Sequence, residues 1–245
     1  MTSSTAKFNP RPWSYSRIKC AQECLTRFYI NYVLKIRGQA TVPMLEGSRK
    51  HAAFEEILKG EETHYIYTQE EWDAWLRVEP LVRGGKAEVK LTINEYRQHC
   101  HDDDAYLLGY LDACMGHLVV DWKMGQGMMY DKLQADIYAA LNATAQNIQW
   151  PFMVSFVFPF VDVDKDEAPS VTFTYGRNTT DHADSITETF ERIKAIIDGL
   201  EGEIELCNPD KAGDWEPNLD ACMGCLVWNH CNHYTKELQW RTTIA

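Results

Sequence analysis

Residues 106–123 restrict the possible folds of this chain more than any other segment. Runs rich in apolar residues lie on both sides of Met115-Gly116, the pattern of a β-hairpin with its turn near those two residues. With Met115-Gly116 as a two-residue turn, Cys114 pairs with His117 and Asp112 falls opposite Val119. Directly opposed residues share a face, as do residues two apart on one strand. Asp112, Asp121 and Lys123 are therefore expected on one side of the sheet, and a one-residue change in the turn sends Asp112 to the other. Two close carboxylates repel each other near a protein interior. A divalent cation removes that cost, and Mg²⁺ and Mn²⁺ favour such hard oxygen ligands while keeping several waters. A water acidified by the metal can attack a phosphodiester, with Lys123 holding that water or offsetting charge on phosphorus. The plainer alternative is two aspartates at strand ends and one exposed lysine.

Around the hairpin, apolar periodicity predicts helices over 14–36, about 46–59, 132–146 and 185–206. The first has Ser14 or Ser16 as N-cap and Gly38 as stop, the second stops at Gly60, and the last opens with Ser185 and Glu188 at capping-box spacing. Strands are expected over 87–93, 152–160 and 171–175, while 65–75 is ambiguous. This order implies an α/β fold of the mixed α+β kind, a central mixed sheet flanked by helices. A chain of 245 residues fits one domain, 1–245, with an N-terminal helical part (1–60), a core (61–206) and a cysteine-bearing segment (207–245).

No run reaches the ~18 apolar residues of a membrane span; the nearest, 150–161, is short and broken by two prolines. The N-terminal residues lack the apolar run of a signal peptide, so a cytoplasmic location is expected. In a reducing compartment clustered cysteines more often bind metal than pair. Of the eight, Cys222, Cys225 and Cys231 form a Cys-x2-Cys-x5-Cys run that needs a fourth ligand. His233 would complete a zinc site, and a distant cysteine would complete a 4Fe–4S cluster. Cys100 and Cys114 are expected as buried thiols.

The net charge of −12 argues against a nucleic-acid partner, but its distribution softens that. Residues 1–50 hold nine basic and two acidic side chains, a net +7, leaving −19 for the rest. A basic lobe on an acidic body can still follow a phosphate backbone. Tyr15, Phe28, Tyr29 and Trp122 are candidates to stack on unpaired bases, with core packing the plainer role for most of them.

Gly109-x-x-Asp112 followed by Asp121-Trp122-Lys123 resembles the core motif of the PD-(D/E)XK nuclease superfamily. The likeness extends towards its RecB/AddB branch and the CRISPR-associated adaptation exonucleases. These carry an upstream Gly-x-x-x-His-x-x-x-Glu helix, matched by Gly47, His51 and Glu55, and a downstream Gln-x-x-x-Tyr, matched by Gln134 and Tyr138. The resemblance implies a restriction-endonuclease-like fold in which Asp112, Asp121 and His51 bind Mg²⁺ or Mn²⁺. It implies that Lys123 assists catalysis and that Gln134 and Tyr138 position the lysine or the DNA. The imidazole favours Mn²⁺. Glu88 is expected beside the site, not as a ligand. Iron–sulfur members use one N-terminal cysteine after a Ser-x-Ser start and before Phe-Tyr, together with a C-terminal cysteine run. That pattern assigns Cys24, Cys222, Cys225 and Cys231 to a structural 4Fe–4S cluster, with Cys20 and Cys207 as competitors for the place of Cys24. Leu25 stands where the family often has Pro. The activity implied is a DNA exonuclease on single-stranded ends, in CRISPR spacer acquisition or in virus or phage DNA processing. A viral member would work in the host cytoplasm, and rings among relatives make a homo-oligomer an open option. The rival readings are a non-catalytic DNA-end binding protein that keeps the fold, and a zinc-binding module.

Overall fold

The computed structural model describes residues 10–146, 150–178, 183–206, 225, 226 and 231. The expected hairpin lies in a six-stranded mixed sheet of order β1-β2-β3-β4-β5-β6. The strands are β1 (Lys86–Ile93), β2 (Leu107–Met115), β3 (Leu118–Trp122), β4 (Phe152–Val157), β5 (Ser170–Gly176) and β6 (Asp184–Ser185). β1, β2 and β3 are successively antiparallel. β3 and β4 run parallel, and the chain between them supplies the crossover helix such a pair requires. β4 and β5 are antiparallel, and β6 adds a short parallel edge.

The helices are α1 (Tyr15–Glu23), α2 (Leu25–Phe28), α3 (Val42–Lys59), α4 (Gln69–Val82), α5 (Lys132–Ala145) and α6 (Ile186–Leu206). The ambiguous stretch resolves as α4, whose N-cap Thr68 accepts a hydrogen bond from the Glu71 amide at 3.2 Å. α3 ends at Gly60, which takes the left-handed φ of +76° that glycine adopts without penalty.

Two compact units divide the chain, Thr41–Ile193 and Met1–Ala40 with Lys194–Ala245. The expected internal boundaries near 60 and 206 differ from these. In the larger unit, α3 and α4 pack Ala53, Phe54, Ala74, Trp75, Val78 and Val82 against Ala113, Val120 and Trp122 of the hairpin. In the smaller unit, Glu201 receives both guanidinium bonds of Arg11 (2.9 and 3.1 Å) and the indole N–H of Trp13 (2.8 Å). Trp13 stacks on Phe28 at 5.3 Å.

Two expectations are corrected. The helix over 14–36 is interrupted at Cys24, which is extended (φ −165°, ψ 109°) and caps α2 with its own thiol, accepting from the Arg27 amide. The chain continues as a π-helical turn over Tyr29–Val33. The hairpin turn is Gly116-His117, since Met115 pairs with Leu118. Gly116 has φ +51°, the positive value a tight hairpin turn asks of its first central residue. The turn keeps its length of two but moves by one position. Continued from Ala113↔Val120, the register therefore sets Asp112 against Asp121 instead of Val119. No helix among the described residues is long and apolar enough to cross a membrane.

Candidate active site

The register of β2 and β3 ends at Ala113↔Val120, one residue short of each acid. On the other side of β2, the pairs Ala87↔Ala113 and Val89↔Leu111 bracket Glu88 and Asp112, which are themselves unpaired. Glu88 has φ +48°, a costly conformation for a residue with a side chain. Local distortions of this kind re-aim side chains. The Asp112 carboxylate turns into the opening between β2 and β3, where Oδ2 accepts the Trp122 main-chain N–H at 3.0 Å. The side chain thus takes up a main-chain donor at the point where the ladder stops. Oδ2 also lies 3.6 Å from His51 Nδ1 of α3.

Asp121 is held from the opposite layer. α5 presents Gln134 and Tyr138 one turn apart, and both are buried (8% and 7% exposed). Gln134 Nε2 donates to Asp121 Oδ1 at 2.9 Å, and the Tyr138 hydroxyl donates to the same oxygen at 3.1 Å. Gln134 Nε2 also lies 2.8 Å from the Tyr138 oxygen. The other end of the amide, Oε1, accepts from Lys123 Nζ at 2.8 Å. Lys123 Nζ stands 2.7 Å from Asp121 Oδ2 as an ion pair without the alignment of a hydrogen bond. Among the described residues that buried oxygen has no hydrogen-bond partner. The two acids are held by different partners. Asp112 meets α3 and the β3 main chain, whereas Asp121 meets α5.

Burial pushes the Asp112 carboxyl well above the usual carboxylate range, and the Asp121 charge adds to the push. Burial lowers the His51 pKa, opposed by the charge of Asp121, so the ring favours the neutral form that can ligate a metal. Burial raises the Tyr138 hydroxyl, and the Asp121 and Asp112 charges raise it further, so it stays protonated and able to donate. Burial also raises Glu88, with Glu55 adding repulsion. Glu55 itself pairs with Lys59. Trp122 was expected among candidates for base stacking, as was Phe28; both are 1% exposed and belong to the interior. The indole N–H of Trp122 donates to His51 Nδ1 at 3.0 Å, a contact no spacing in the sequence signals.

Among the described residues no three His, Cys, Asp or Glu side chains already enclose a metal position. The donor set nevertheless fits a divalent cation. His51 Nδ1 and Asp112 Oδ2 are 3.6 Å apart, within the roughly 4.2 Å that one ion at ~2.1 Å from each can bridge. Asp121 Oδ2 is a buried oxygen that, among the described residues, faces an imperfectly aligned amine and accepts no hydrogen bond.

For the cysteines, Cys222 and Cys207 lie outside the described residues. Cys225 and Cys231 share an apolar cluster with Ile30 and Ile36. The buried Cys20 thiol accepts from Arg27 Nε (3.4 Å), and burial raises its pKa. Cys114 is buried with Gln146 Nε2 at 3.3 Å from its sulfur, and Cys100 is partly buried.

A comparison with curated proteins finds no match to this chain. The family model of the PD-(D/E)XK nuclease superfamily matches residues 12–232, a span that takes in both carboxylates, the lysine and the helices that hold them, and the chain belongs to that superfamily.

Proposed function

We propose that this nuclease is a metal-dependent exonuclease acting on single-stranded DNA ends and that it carries a structural 4Fe–4S cluster. The observation that carries the hydrolytic reading is the closed set of bonds joining Asp121, Lys123, Gln134 and Tyr138 beside Asp112 and His51. His51, Asp112 and Asp121 would hold Mg²⁺ or Mn²⁺, which when bound supplies an acidified water and offsets phosphate charge. Gln134 fixes the ammonium of Lys123 through Oε1 and fixes Asp121 through Nε2, so one amide sets the spacing of base-rich and acid-rich groups. Lys123, once its link to Asp121 loosens, is placed to orient the attacking water and to offset negative charge on the phosphoryl oxygens as the P–O bond breaks. Tyr138 keeps one Asp121 oxygen occupied, leaving the other to face the cation.

The single-strand preference, the exonucleolytic mode and the cluster rest on the motif likeness to RecB/AddB-type and CRISPR-associated exonucleases. For the cluster, Cys225 and Cys231 beside the π-helical turn that follows Cys24 support a set of Cys24, Cys222, Cys225 and Cys231.

End-labelled single strands, blocked at the 5′ or the 3′ end and incubated with Mg²⁺ or Mn²⁺, test the activity. Progressive shortening from one unblocked end is expected, with none in excess chelator and none for Lys123→Ala. A folded, metal-loaded protein that leaves every strand intact while still binding ends would favour the non-catalytic alternative.

A further inference from the structure

Trp122 occupies the middle position of Asp121-Trp122-Lys123, where the chain needs an apolar residue to pack on α3 and α4. It does more than pack. Both of its N–H groups are spent on prospective metal ligands: the main-chain N–H on Asp112 Oδ2 at 3.0 Å and the indole N–H on His51 Nδ1 at 3.0 Å. The indole ring is held in place by an edge contact with Phe54 at 5.7 Å.

The chemistry of that second bond is restrictive. An indole nitrogen can only donate, so His51 Nδ1 must carry its lone pair towards Trp122. A neutral imidazole has one free lone pair, and with Nδ1 accepting, the hydrogen sits on Nε2. A divalent cation also needs an imidazole lone pair. If it takes Nδ1, the indole is displaced. If it takes Nε2, the hydrogen moves to Nδ1, two donors then face each other, and the indole is displaced again. We propose that Trp122 is a positioning latch: its indole N–H and an incoming divalent cation exclude each other at His51, so the metal-free site is held shut by the residue between the catalytic acid and lysine. The inference rests on the reading of His51 as a metal ligand.

The latch also explains how a half-exposed histidine keeps one orientation beside Asp112 before any cation arrives. Lys123 plays the matching part at Asp121, so Trp122 and the residue that follows it between them occupy His51, Asp112 and Asp121.

The test uses the whole protein and does not depend on cleavage. In a ¹⁵N–¹H spectrum of the metal-free protein, the Trp122 indole resonance is identified by its absence in Trp122→Phe. If that variant misfolds, it is identified by its proximity to the His51 ring in the wild type. Titration with Mg²⁺ is expected to move this resonance and to speed its exchange with solvent, while the His51 nitrogens leave the Nε2–H pattern. Mn²⁺ affinity, read from the spectrum of free Mn²⁺, is expected to rise about two- to tenfold in Trp122→Phe, the worth of one hydrogen bond no longer broken on loading. His51→Ala is expected to bind Mn²⁺ more weakly. Wild-type affinity in His51→Ala would remove His51 from the ligand set and with it the underlying reading. Weakened binding in His51→Ala, combined with an indole resonance that Mg²⁺ leaves in place or a folded Trp122→Phe of unchanged affinity, would overturn the latch alone.

Discussion

Single side chains decide whether this site is a catalyst or only a strained corner of a sheet. Lys123 is predicted to be indispensable: Lys123→Ala should lower cleavage by at least about 10²-fold, the usual worth of one preorganised charge-stabilising donor. Its circular dichroism should be unchanged. An alanine variant with wild-type rate would refute that role. Asp112 carries a separate prediction about stability. Its folded-state pKa lies above the ordinary value of roughly 3.9, so its contribution is fully present below that value and is lost as pH rises through the raised one. Metal-free protein should therefore lose thermal stability across that window. Asp112→Asn keeps an acceptor for the Trp122 amide but no charge, so with chelator at pH 7 it should melt a few degrees higher than wild type, with a flatter pH profile. Melts from pH 4 to 8 check this, and a lower midpoint for the variant contradicts it. Because a cation and a proton compete for the same carboxylate, raising Mg²⁺ should also carry activity to lower pH. The motif residues were legible in the sequence because their spacing fixes their neighbours: i, i+4 on α5 brings Gln134 and Tyr138 to one oxygen. The indole bond of Trp122 was not legible, because it joins strand to helix across 71 positions and depends on how the layers close.

At the scale of elements, the working distance is the one between β2 and α5. A Cβ at Gly109 would stand 2.5 Å from Leu141 Cδ1 and about as close as ordinary contact allows to the Tyr138 ring, at 3.6 Å. Glycine here leaves room for the Leu141 side chain and the Tyr138 ring of α5 against β2. Gly109→Val should lift α5 and cut cleavage far more than Gly116→Ala. The second change strains only the turn and should cost about 1 kcal/mol of stability. Paired rate and melting measurements separate the two, and equal losses of activity at equal losses of stability would sink the distinction. Helix and strand positions were largely readable, since periodicity records which face is buried. Three details escaped. The turn moved because φ, not polarity, picks its first residue. The break at Cys24 has no glycine or proline to mark it. The left-handed Glu88 lies in a segment that alternates like any strand, yet it is the distortion that steers Asp112 into the opening.

For the whole molecule, the two compact units divide the labour suggested by the motifs: Thr41–Ile193 contains every acid, lysine and histidine of the candidate site, and the remainder contains Cys20, Cys24, Cys225 and Cys231. Protein purified without oxygen is predicted to be brown, absorbing near 400 nm. Cys24→Ala and Cys222→Ala should lose that colour and melt several degrees lower, since a link between distant parts of the chain restricts the unfolded state. A colourless protein with stoichiometric zinc would instead support the zinc alternative. Spacing alone allowed either metal, because three thiolates close together say little about the fourth ligand.

Donors already seated against His51 and Asp112 have a practical consequence for anyone seeking inhibitors. Compounds such as hydroxamates or diketo acids work by gripping a protein-held ion. Screened against chelator-treated protein they would find no ion, and the His51 nitrogen nearest Asp112 already engaged by Trp122, so a library tested under those conditions would report failure for scaffolds suited to a loaded form.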